Sequence, residues 1–126
     1  MWNPQPNGLA GLSDDAVVDR LRRLAHGSRL VLASFLLHLN IFDERRLHEP
    51  RGFPSLFRYC TLELRLSPDE AYLRIYAARL VKAYPPILDM LSRGEIHLSG
   101  LSKLGPSFTP DNVEGLLEQA RGKSKR

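Results

Sequence analysis

Four residues, Ser67-Pro68-Asp69-Glu70, constrain this chain more than any other feature. A serine able to accept from an orphan N–H, a proline at the first helical position and a glutamate three residues after the serine together mark a helix start. The helix predicted from them reaches about Ala83. Tyr84-Pro85-Pro86 ends it, because a residue before proline avoids the α region. The same signals recur along the chain. Ser13, Asp14 and Asp15 open a helix that Gly27 closes, and Ser28 opens a longer one to about His48. Ser55 opens a short helix to about Leu64. Three more follow, at 86–93, at 99–104 capped by Ser99, and at 110–120 capped by Thr109, with Gly122 placed for a left-handed end. No stretch alternates as a strand would. The expectation is an all-α fold, a compact multi-helix bundle of seven helices.

Periodicity selects Leu21, Leu24, Phe35, Leu39, Phe57, Cys60, Ile75 and Ala78 for the core. Leu80, Leu88, Leu91, Leu101, Leu104, Leu116 and Leu117 join them. Residues 1–12, with Pro4, Pro6, Gly8 and Gly11, read as a flexible leader. Residues 13–120 form the domain and 121–126 a basic tail.

Composition removes several function classes. With one cysteine, Cys60, no internal disulfide and no multi-thiolate zinc site can form. The longest apolar or small run, Leu30–Leu37, is eight residues, against roughly 20 for a membrane span. The start MWNPQPNG has neither the cationic flank nor the apolar run of a signal peptide. A soluble, cytoplasmic chain with no membrane partner is expected. The net charge is +4, and Arg121, Lys123, Lys125 and Arg126 account for it; elsewhere 14 basic residues balance 14 acidic ones.

No catalytic or metal-ligating set emerges, and no cofactor is expected. His26, His38, His48 and His97 are scattered without ligand spacing. Cys60 lies on a predicted buried face. The segment with most information is the short helix at 55–64, the turn Arg65-Leu66-Ser67 and the helix at 68–83, which have the spacing of a helix-turn-helix over about 55–83. In such a unit the second helix meets duplex DNA. The predicted DNA-binding residues are Arg74, Arg79 and Lys82 on that helix, Arg58 before it, and Lys123, Lys125 and Arg126 in the tail. Ala71, Ile75 and Ala78 would pack behind.

The Gly52–Cys60 block, the Ser67–Leu80 helix, the segment RGEIHLSGLSKL and the closing ARGKSKR resemble the helical N-terminal region of bacterial HNH endonuclease-like proteins. The similarity covers roughly residues 12–126. From Leu66 onward the chain also resembles the helix-turn-helix of ParB-type partition proteins. The resemblance implies an all-α fold with a helix-turn-helix and an association with DNA processing. It also implies that the chain is not an enzyme, because the HNH histidines and asparagine are absent from these residues. Arg65 stands where relatives carry glycine, which implies either an arginine held at positive φ or a different turn, and Leu73 and Tyr76 stand where they carry arginine.

A second expectation comes from the 28–48 helix. Leu30, Leu36, Leu37 and Ile41 widen its apolar stripe beyond one face. That surplus suits a protein–protein interaction domain or a homodimer. A third is a shortened copy of a longer nuclease with no activity of its own.

Overall fold

The computed structural model describes residues 6–124. Every regular element among them is helical. In chain order these are α1 (Pro6–Leu9), α2 (Asp14–Glu44), α3 (Leu56–Arg58) followed by a π-helical turn (Tyr59–Glu63), and α4 (Pro68–Ala83). Then come α5 (Pro86–Ser92), α6 (Leu98–Leu104) with a 3-10 turn (Gly105–Ser107), and α7 (Val113–Ser124). The fold is an all-α bundle. Residues 1–5 of the expected leader lie outside the described residues; α1 is one helical turn within it.

The largest departure from expectation is α2. Gly27 does not break it, and one helix of 31 residues replaces the expected two. Glycine in a helix interior costs only about 1 kcal/mol relative to alanine, and Gly27 is not in the left-handed region. A Cβ there would meet nothing within 4 Å, so no other element makes it a stop. The real stop is Arg46, at φ 50°. Its N–H donates to the Asp43 carbonyl and that of Leu47 to Phe42, a Schellman closure with arginine in the place usually held by glycine. At the other end Ser13 caps Ala16 N–H as expected.

Only the second half of α2 belongs to the body. Ala33, Leu36 and Leu39 are buried against the rest of the bundle. Asn40 Nδ2 donates to the Ala78 carbonyl (3.1 Å) and Arg29 Nε to the Ser92 carbonyl (3.2 Å), tying α2 to α4 and α5. The Arg29 side chain lies over Gly94, whose φ of 75° closes α5. Residues 14–26 stand clear. Leu21 and Leu24, expected in the core, are exposed because no other element packs over them closely enough to cover them. Phe57 is exposed too, while its neighbours Leu56 and Cys60 are buried.

The expected 55–64 helix is a single α-turn that widens into the π-turn. Ser55 caps it by accepting from Arg58 N–H (3.1 Å). Around the wider turn Tyr59 meets Phe42 and Phe53, with ring centroids 4.5 and 5.0 Å away, while Cys60 is fully buried.

Helix α4 has the expected bounds. Its capping box is complete: Ser67 Oγ accepts from Glu70 N–H (3.1 Å) and Glu70 Oε1 accepts from Ser67 N–H (3.0 Å). Those bonds hold the Glu70 carboxyl below its ordinary pKa. Ala71, Ile75, Ala77, Ala78 and Val81 are buried, so α4 is the central helix.

Further on, His97 rather than Ser99 is the α6 cap residue, and it makes no side-chain cap bond. Thr109 and Asn112 bond reciprocally before α7, 2.8 and 3.2 Å. Helix α7 runs through Gly122 instead of stopping there, so Arg121 is a helix residue rather than part of a tail. Among the described residues no helix is long and apolar enough to cross a membrane.

Candidate functional site

The turn between the π-helical segment and α4 passes through one left-handed residue. Arg65 has φ 60°, and Leu66 N–H donates to the Cys60 carbonyl (3.0 Å) across it. An arginine in that region costs on the order of 1 kcal/mol relative to glycine. The chain path of short helix, turn and capped helix is present. Its packing leaves α4 only a narrow exposed strip, on which Asp69, Tyr72 and Arg79 lie.

Of the expected DNA-binding side chains on α4, Arg79 and Lys82 are exposed and Arg74 is not. Arg74 is half-buried and lies over the Phe35 ring of α2, 5.0 Å from its centroid. Arg79 makes a two-pronged bond to Asp43, 2.9 and 3.3 Å. Lys82 pairs with Glu44 at 3.2 Å. Three cations of α4 are thus turned toward α2, where they fix the end of the long helix. A period-3.6 count places side chains around a helix but not the helix against its neighbours, so these partners on α2 are not legible from spacing, although Arg79 and Lys82 remain exposed. Arg58 is exposed, and neither it nor Arg65 has an acidic partner among the described residues. Lys123 lies near the end of α7, and Lys125 and Arg126 fall outside the described residues. Arg121, their neighbour, is committed to the fold, bridging Glu95 (3.3 Å) and Glu118 (3.0 Å).

Reactive groups are dispersed. Among the described residues no three His, Cys, Asp or Glu side chains converge as a metal site would require. Burial pushes the Cys60 thiol up, away from the thiolate a nucleophile needs. His38 Nδ1 lies 2.7 Å from the Ser34 carbonyl of its own helix. His48 is buried in the turns after α2, and its Nδ1 has no hydrogen-bond partner among the described residues.

What the structure does concentrate is apolar surface on α2. Val17, Val18, Leu21, Leu24, Leu30, Val31, Leu37 and Ile41 are each 46–70% exposed. Seven of the eight, all but Val18, make two stripes. Val17, Leu21, Leu24 and Val31 follow a 4-3-7 spacing that starts on the projecting half, where the first three form a cleft of about 510 Å³ with Leu9 and Leu12 of the preceding segment. Leu30, Leu37 and Ile41, with Ser34 between them, run along the outer face of the half that belongs to the body. The sequence signal for the second stripe was the surplus apolar width. Of the four residues that carried it, Leu36 turns inward and is fully buried.

No protein-family model matches the chain, and no curated protein or solved structure matches it either.

Proposed function

We propose that the chain is a non-catalytic helical module that docks onto another polypeptide through α2. One observation carries this reading: eight large apolar side chains lie exposed on a single helix, half of which stands clear of the bundle. Monomeric proteins seldom expose contiguous apolar patches beyond a few hundred Å². Fully burying a leucine, isoleucine or valine stabilises by about 1.5–3 kcal/mol. Completing the burial of half-exposed ones is therefore worth roughly 1 kcal/mol each. Several together outweigh a substantial part of the entropy lost on docking.

The test separates a docking surface from a poorly packed core. The Leu30→Glu/Leu37→Glu/Ile41→Glu variant, in dilute solution, should keep its helical circular dichroism and melt within about 3 °C of wild type, since surface substitutions away from caps and cores change stability little. A large loss of melting temperature would show that these residues belong to the chain's own core.

A second reading, contact with duplex DNA, is favoured by Arg58 and Arg65, exposed and unpaired beside the capped start of α4. With so few free cations the contact is a light one. The slope of log K against log salt should be about −2 to −3, corresponding to two or three phosphates. Arg58→Ala/Arg65→Ala should flatten that slope, whereas Arg74→Ala should leave it unchanged. Absence of binding to random duplex at low salt would end the DNA reading.

A further inference from the structure

Leu101 of α6 and Val113 and Leu117 of α7 are buried and hold these helices to the body. Where the two helices line a common cleft, several residues are small. Ser99 and Gly100 on α6 and Ala120 on α7 leave about 350 Å³ there, with Ile96, Leu104 and Leu116 as apolar walls. That volume falls at the lower end for small-ligand sites, about 300–1,000 Å³. A Cβ on Gly100 would touch only Ile96, at 3.8 Å, so no packing contact asks for glycine. Its helix bears a cost of about 1 kcal/mol relative to alanine, and the effect is a cleft that stays open.

We propose that this cleft binds a small organic acid, a single carboxylate on an apolar body. The site is independent of the docking reading above, since none of its residues lies on α2. Charge selects the ligand. Lys103 lines the cleft, is exposed and has no ion pair among the described residues, and no carboxylate lines the cleft beside it. The acids next to lining residues in the chain are already paired: Glu95, before Ile96, and Glu118, before Gln119, both meet Arg121, at 3.3 and 3.0 Å. One ammonium balances one negative charge, which suits a carboxylate better than a phosphate dianion. The exposed side chains of Gln119 and Ser99 line the same cleft and make no hydrogen bond among the described residues, so both are free to donate to the acid. The ligand's body would displace water from Ile96, Leu104 and Leu116.

Phenylacetate is the probe and phenylacetamide its neutral counterpart. Titrated into the full chain, phenylacetate should shift the backbone amide signals of α6 and α7 and saturate with a Kd of about 1 mM, within reach of a ligand of roughly ten heavy atoms. Phenylacetamide should bind about fivefold more weakly, the worth of one solvent-exposed charge pair. Lys103→Met should bring the acid down to the level of the amide. Gly100→Leu fills the cleft from a helical position that strains no backbone, and should abolish binding of both while helical circular dichroism is kept. Shifts that stay linear to about 10 mM would overturn the proposal, as would equal affinity for acid and amide in wild type. So would an acid affinity untouched by Lys103→Met, a comparison that decides the matter even if Gly100→Leu does not fold.

Discussion

Leu36→Ala should destabilise the fold by about 2–5 kcal/mol, while Leu37→Ala, one residue later on the same helix, should change it by well under half as much. The two positions share residue type, helix and sequence environment. They differ in what surrounds the side chain: Leu36 is 0% exposed and Leu37 47%. Leu36 belongs to the cluster that joins α2 to Ile75 and Ala78 of α4 and to Ile87 and Leu91 of α5. Truncating it removes the transfer contribution and leaves a cavity, since α4 is pinned to α2 by the Asn40–Ala78 bond and the Asp43–Arg79 pair and cannot collapse freely into the gap. Truncating Leu37 removes half-wetted surface and leaves no cavity. Thermal or urea unfolding of both variants at the same low concentration gives the comparison. Equal losses would mean that α2 is seated with a different face inward.

The contrast between these neighbours marks how far the sequence could be read. Caps and prolines are local chemistry, written within four residues, so Ser67-Pro68-Asp69-Glu70 predicted the start of α4 and Tyr84-Pro85-Pro86 its end. Glycine as punctuation succeeded at Gly94, where the turn does need a positive φ, and failed at Gly27, where it does not. The left-handed closures after α2 and before α4 are made by Arg46 and Arg65, which carry no composition signal for a stop. Burial of Leu21 and Leu24 was misread for another reason: periodicity shows that a helix has an apolar side but not that this chain provides something to cover it. The partners of the charged residues were hidden for the same reason. Arg74, Arg79 and Lys82 looked free for DNA because their partners, Phe35, Asp43 and Glu44, lie some 35–40 positions away in sequence. Only tertiary packing brings them together. The amphipathic excess on the long helix was legible, whereas which of Leu36 and Leu37 faces the body was not.

Among glycine-to-alanine changes at the described residues, Gly105→Ala should meet the hardest steric contact. Gly105 is buried at the junction of α6 and its 3-10 turn, and its backbone is ordinary right-handed helix, so alanine meets no conformational obstacle there. The obstacle is Tyr76. A Cβ on residue 105 would sit 2.7 Å from Cε2 and Cζ of that ring and would overlap its hydroxyl. The ring has little freedom to yield, since it stacks on Tyr72 with planes 8° apart and springs from the central helix beside Ile75 and Ala77. Overpacking of this kind costs about 1–3 kcal/mol. For a domain of this size that lowers the melting temperature by roughly 3–12 °C. A cavity made on the other side should rescue it. Tyr76→Leu alone loses ring contacts and the stack, yet combined with Gly105→Ala it leaves room for the methyl group, so the double variant should be more stable than the two losses added together predict. By comparison, Gly115→Ala on α7, where a Cβ meets nothing within 4 Å, should stabilise by up to about 1 kcal/mol through helix propensity. Strict additivity of Gly105→Ala and Tyr76→Leu would mean that ring and glycine are not in contact, and α6 would then have to be placed elsewhere along α4.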